Sequence, residues 1–118
     1  MHGRTRSRTA TKLATRRNAV VWIGPGRALV LRDAEAGGLD ESEIPLPDAM
    51  GATPTALAQV AHCVRDVDRV LVLGRDDLRT ALEREIVAIS HAPETIREAE
   101  IEGPVNHDVL LARLRRLA

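Results

Sequence analysis

RVLVLGRDDLRTALEREIVAISH, residues 69–91, reads as a strand, a glycine turn and a helix in that order. Val70, Leu71, Val72 and Leu73 are apolar at every position, so a strand here needs cover on both faces, as a central strand between helices has. Gly74 ends it. Leu78, Leu82, Ile86 and Ile89 then recur at helical spacing, with Ala81 in the same stripe. Asp76 and Asp77 complement the positive end of that helix. Ala92-Pro93 stops it, because proline disfavours helical backbone in the residue before it.

Upstream, residues 18–33 read as a hairpin. Ala19-Val20-Val21-Trp22-Ile23 and Ala28-Leu29-Val30-Leu31 flank Gly24-Pro25-Gly26. Proline presets the first central position of a type II turn and Gly26 supplies the positive φ of the second. The first strand is apolar on both faces, hence interior. A second turn surrounds Gly37-Gly38, and residues 43–47 are a short third strand whose prolines place it at an edge. After a loop over residues 47–52, Thr53 caps a helix with Pro54 at its first position. Leu57, Val60, Ala61 and Val64 form its buried stripe, and it ends near Asp66.

Downstream, residues 97–102 alternate. Ala99 and Ile101 face one way, and Glu98, Glu100 and Glu102 face solvent on the other. Gly103-Pro104 interrupts the chain, and Asn106 or Asp108 caps a last helix that packs Leu110, Leu111, Leu114 and Leu117 inward. The element order predicts an α/β fold: a mixed sheet of about five strands with about three helices, in two or three layers. Residues 18–118 form this single domain, behind a disordered arm over residues 1–17.

The chain has 118 residues, 17 cationic and 17 acidic, but the charges are unevenly spread. Arg4, Arg6, Arg8, Lys12, Arg16 and Arg17 stand in the arm with no acid, so the remainder is acidic overall. The arm has no hydrophobic periodicity and no aromatic residue. It is expected to be disordered when free and to bind nucleic acid by backbone contact without base stacking. Its composition is shared with organellar transit peptides, but it lacks the apolar stretch of a secretory signal. The lone Cys63 fits a reducing compartment, and no apolar run reaches membrane-spanning length. A cytoplasmic, basic-armed protein is the favoured reading.

Catalytic and metal-ligating patterns are scarce. His62 and Cys63 are adjacent on one helix and diverge, while His91 and His107 stand apart, so no metal site or cofactor is expected. Metal-dependent nuclease chemistry gathers carboxylates at strand centres, and residues 20–23 and 70–73 contain none. A phosphate at the helix start after Gly74 would meet Asp76 and Asp77. Each repulsion costs about 4 kcal/mol at 4 Å, against a dipole contribution of about 0.3–2 kcal/mol.

Several strings resemble small bacterial relatives of the middle domain of archaeal-eukaryotic release factors and Pelota. They are residues 19–23 opening a hairpin, Val70-Leu71-Val72-Leu73-Gly74 with Leu78-Arg79-Thr80-Ala81-Leu82, His91-Ala92-Pro93, and Asn106-His107-Asp108 before a helix. The likeness spans about residues 18–118. It implies a ribonuclease H-like fold and a place in translation. Release factors in this family carry a Gly-Gly-Gln loop that promotes peptidyl-tRNA hydrolysis. Here Gly37-Gly38 is followed by Leu39, and residues 47–53 lack glutamine, so hydrolysis is not carried over.

The expected function is a non-catalytic protein that binds the ribosome or ribosomal RNA through the arm, with stress or hibernation as its setting. The alternative is an interaction module acting as a homodimer through the edge strand or the last helix, with no nucleic-acid role. A remnant ribonuclease H-like enzyme is the third reading, disfavoured by the residue inventory.

Overall fold

A computed structural model describes residues 17–34, 37–46, 52–74, 76–90, 93–99 and 105–117. The strands are β1 (Asn18–Gly24), β2 (Arg27–Asp33), β3 (Leu39–Pro45), β4 (Arg69–Gly74) and β5 (Ile96–Ala99). The helices are α1 (Ala52–Cys63), α2 (Asp76–Ser90) and α3 (His107–Leu117), with a 3-10 turn at Pro93–Thr95. The sheet order is β3-β2-β1-β4-β5. β2 runs antiparallel to both β1 and β3, while β1, β4 and β5 are parallel neighbours. The expected α/β class, with five strands in a mixed sheet and three helices, is the observed one.

Residue parity along the strands separates two cores. Ala19, Val21 and Ile23 of β1 face one side with Val70 and Val72 of β4 and Ala28 and Val30 of β2. There they meet Leu57 and Val60 of α1 and Leu82 and Ile86 of α2. Val20, Leu31, Leu71 and Leu73 face the other side, where Leu110 and Leu114 of α3 cover them. The arrangement is therefore three-layered, and it explains why β1 and β4 are apolar throughout: each residue belongs to one of the two cores.

Local signals set the ends of these elements. Gly26 has φ 77°, as the turn required. Gly74 has φ 140°, and a Cβ there would lie 2.7 Å from the Ile23 carbonyl oxygen, so the exit from β4 requires glycine. Asn106 is the cap of α3: its side-chain oxygen accepts the Val109 N–H at 3.0 Å.

Four expectations need correction. β3 begins at Leu39 and not Glu43: its first five residues are all exposed, so no apolar alternation marks them, yet each is in register with β2. α1 ends at Cys63, after which Val64 and Arg65 donate to Ala61 and His62 in a tightened last turn. Ile89 is 36% exposed, beyond the core that holds Leu82 and Ile86. β5 starts at Ile96, which packs on the α1/α2 core. Glu98 lies two residues on and so shares that face, turned toward α2. Expectations for residues 47–51, His91, Glu100, Ile101, Glu102 and Gly103-Pro104 lie outside the described residues.

Candidate functional site

Arg4, Arg6, Arg8, Lys12 and Arg16 lie outside the described residues; Arg17 lies within them. The sequence assigns Arg17 to the arm, yet here it is bound to the body. Its N–H donates to Asp68 Oδ2 at 2.8 Å, and its carbonyl accepts the Asp68 N–H at 2.7 Å. Its guanidinium meets Asp66 at 3.3 Å. Asp66 also takes Arg32 Nη1 at 2.9 Å, and Arg32 donates to the Cys63 carbonyl oxygen as well. The Arg32 hydrogen bond, aided by the charges of Arg32 and Arg17, holds the Asp66 carboxyl below its ordinary range. The base of β1 is thus a small ion-pair cluster from which the arm departs.

At the opposite end of the β1–β2 hairpin sits Trp22. Its indole lies over Gly24, where an added Cβ would fall 2.1 Å from the ring. Arg27 rests 5.9 Å from the ring centroid and pairs with Glu43 at 3.4 Å. This is the one described spot where an aromatic face and a guanidinium meet at the surface.

The third constellation was not foreseen from the sequence. An open cavity of about 650 Å³ lies between α2 and β5, lined in part by Thr80, Glu83, Arg84, Val87, Ile96 and Glu98. Arg79, 9% exposed, donates from Nη1 to the Gly74 carbonyl at 2.9 Å and pairs through Nε with Glu98 at 3.5 Å. One oxygen of Glu83 is buried with no donor in reach. Burial first, and then the neighbouring Glu98 carboxylate, push the Glu83 carboxyl up to about 7. Protonated, the Glu83 carboxyl can donate to Glu98, beside the Arg79 guanidinium. A sequence signal existed: Arg79 and Glu83 are four apart and share a helix face.

The centres of β1 and β4 lie side by side, Val20 against Leu71 and Val21 against Val72, and carry no carboxylate. Among the described residues no group of three His, Cys, Asp or Glu side chains is placed to hold a metal ion. Nor is any described helix long and apolar enough to cross a membrane.

No family model matches the chain, and no curated protein is similar to it in sequence. Among solved structures, Pelota of Archaeoglobus fulgidus superposes with a TM-score of 0.58 at 15% identity, over 95% of this chain and 35% of that one. The likeness is one of fold. This chain thus spans about a third of the Pelota chain it matches. A Holliday junction resolvase of fowlpox virus gives a TM-score of 0.48 at 10% identity, covering 84% of this chain and 71% of the other. Ribonuclease H1 of Halobacterium salinarum gives 0.36 at 18%, covering 84% and 93%. At those scores neither carries an argument about this chain.

Proposed function

We propose that the chain is a relative of the Pelota middle domain. In this reading it is a non-catalytic cytoplasmic protein that associates with the ribosome or ribosomal RNA through its basic arm. Occupancy of a tRNA-binding site during stress or hibernation is the narrower form of the reading. The observation that carries it is the Pelota-like superposition over 95% of the chain, in a body whose first described residue, Arg17, anchors an arm rich in arginine. The strings shared with the release factor family point the same way. A carboxylate-free centre to β1 and β4 supports a role without bond cleavage.

Arg17 is already engaged by Asp66, so the arm offers five further cations to phosphates. Binding to duplex-like RNA then weakens with a log–log salt slope of about −4 to −5. Ribosome co-sedimentation tests this. The full chain is expected in the pellet at low salt and in the supernatant at moderate salt. A variant with Arg4, Arg6, Arg8 and Lys12 changed to Gln is expected to stay soluble in both. Failure of the unaltered chain to pellet at low salt would refute the reading.

A further inference from the structure

We propose that the free edge of β3 is the docking site for residues 4–9 of the chain's own N-terminal arm, laid down as a sixth strand antiparallel to β3. β3 is seven residues long, ends the sheet, and pairs on its outer side with no other strand among the described residues. Alternate residues of such an edge direct N–H and C=O groups outward, a ready template for another strand.

Charge decides which strand the edge accepts. β3 contributes Asp40, Glu41 and Glu43, all exposed, and no cation. Two β3 edges from separate copies would set carboxylate beside carboxylate, so a second copy's β3 is a poor occupant. A cationic strand is a good one. The arm supplies it in the right phase: Arg4, Thr5, Arg6, Ser7, Arg8 and Thr9 alternate cation and hydroxyl with period two. Extended, this segment presents its arginines on one face, and Thr suits a pleated surface.

Glu41 and Glu43 share one face of β3 at the same period. Their carboxylates contact His107 at 3.1 Å and Arg27 at 3.4 Å, yet the side chains remain 56% and 58% exposed. Each carboxylate has acceptor sites for a further donor. With Arg4 opposite Glu43, Arg6 falls opposite Glu41 and Arg8 opposite Leu39. Leu39 is itself 40% exposed, and the arginine stem covers it.

The tether permits this path. β3 runs in the same direction as β1, since both are antiparallel to β2. An arm antiparallel to β3 therefore runs toward the base of β1, where Asp66 and Asp68 hold Arg17. A sixth strand stands three strand spacings from β1, about 14 Å. Residues 10–16 reach about 23 Å when extended. Covalent linkage also keeps the arm at an effective concentration on the millimolar order.

Hydrogen exchange of the β3 amides in the full chain, at low salt and without nucleic acid, tests the docking. Three variants are compared with the parent: R4E/R6E/R8E, E41K/E43K, and the two sets combined. Either set alone should accelerate exchange over residues 40–44 by at least about tenfold. The combined charge swap should restore it to within about twofold of the parent. The arm variant changes no residue of the folded body, so its effect is not one of misfolding. Equal exchange in the parent and the arm variant would overturn the proposal. Protection that arises only between about 1 and 100 μM protein would assign the site to another copy's arm and overturn it too. The measurement contains no RNA, so its outcome is separate from that of ribosome co-sedimentation.

Discussion

At one edge of the sheet β3 holds Asp40, Glu41 and Glu43 in solvent, where each is hydrated and its contacts are exposed. At the other, Glu98 of β5 is just as exposed, at 55%, yet it reaches α2, where the half-buried Glu83 and the buried Arg79 meet it beside a cavity. The same residue type thus does two jobs. Hydrated acids at β3 contribute little to stability and select which strand can approach. Beside β5 the acid partly withdrawn from water is Glu83 of α2, and its proton and the Arg79 guanidinium offset the charge that Glu98 brings next to it.

Removing that guanidinium breaks the comparison hardest. Arg79→Ala leaves Glu83 and Glu98 facing each other and frees the Gly74 carbonyl, and with Glu98 half-exposed is expected to lower the unfolding free energy by about 2 kcal/mol. Urea denaturation at pH 7 measures it, and a loss below about 1 kcal/mol would mean the pair is hydrated like the acids of β3.

Acidity distinguishes the edges next. The Glu83 carboxyl is raised to about 7 from an ordinary value of 4.5, so its ionisation favours the unfolded chain. The stability that goes with its proton is fully present below about pH 4.5 and is lost as pH rises through about 7. Glu83→Gln is expected to flatten that decline and to gain about 1 kcal/mol at pH 8, after allowance for partial solvent screening. Unfolding curves across pH 4.5–8 check it; parallel profiles for the two proteins would show that Glu83 titrates normally. Asp66 works in the opposite sense, its stability being present above pH 3.8 and lost as pH falls below its lowered folded value.

The smallest effect belongs to β3. A double-mutant cycle on Arg27 and Glu43, whose side chains are 45% and 58% exposed, should return a coupling no larger than about 0.5 kcal/mol, falling with salt. A coupling above about 1 kcal/mol would mean that this edge is drier than its exposure implies.

These edges are also where sequence reading fell short. Val20 to Ile23 and Val70 to Leu73 declared themselves by unbroken apolar runs, and Leu82 with Ile86 by helical spacing, because burial on both faces leaves no other pattern. β3 hid because Asp40, Glu41, Ser42 and Glu43 are exposed on both faces, so no alternation marks them as strand. Glu98 was read as solvated, and it is exposed, but its place on the α2 side was missed because Ile96, the residue that sets the phase of β5, preceded the stretch read as strand. Arg79 looked like any helical surface arginine, but it is buried, with the Gly74 carbonyl and Glu98 of β5 as partners. Arg17 was read by composition with its arginine-rich neighbours, whereas its partners Asp66 and Asp68 lie some fifty positions away. Core membership is written locally, while the pairing of charges depends on which strands end up adjacent.

Trp22 is the sole aromatic side chain in the chain, and it stands over Gly24 with Arg27 above its ring. Intrinsic fluorescence and near-ultraviolet dichroism therefore originate at a single address, the tip of one hairpin. A shift in emission would register events reaching Arg27 and its neighbour Glu43. Loosening of α2 at the far side of the sheet could pass unseen, so optical melting of this molecule should be paired with a probe of backbone helicity.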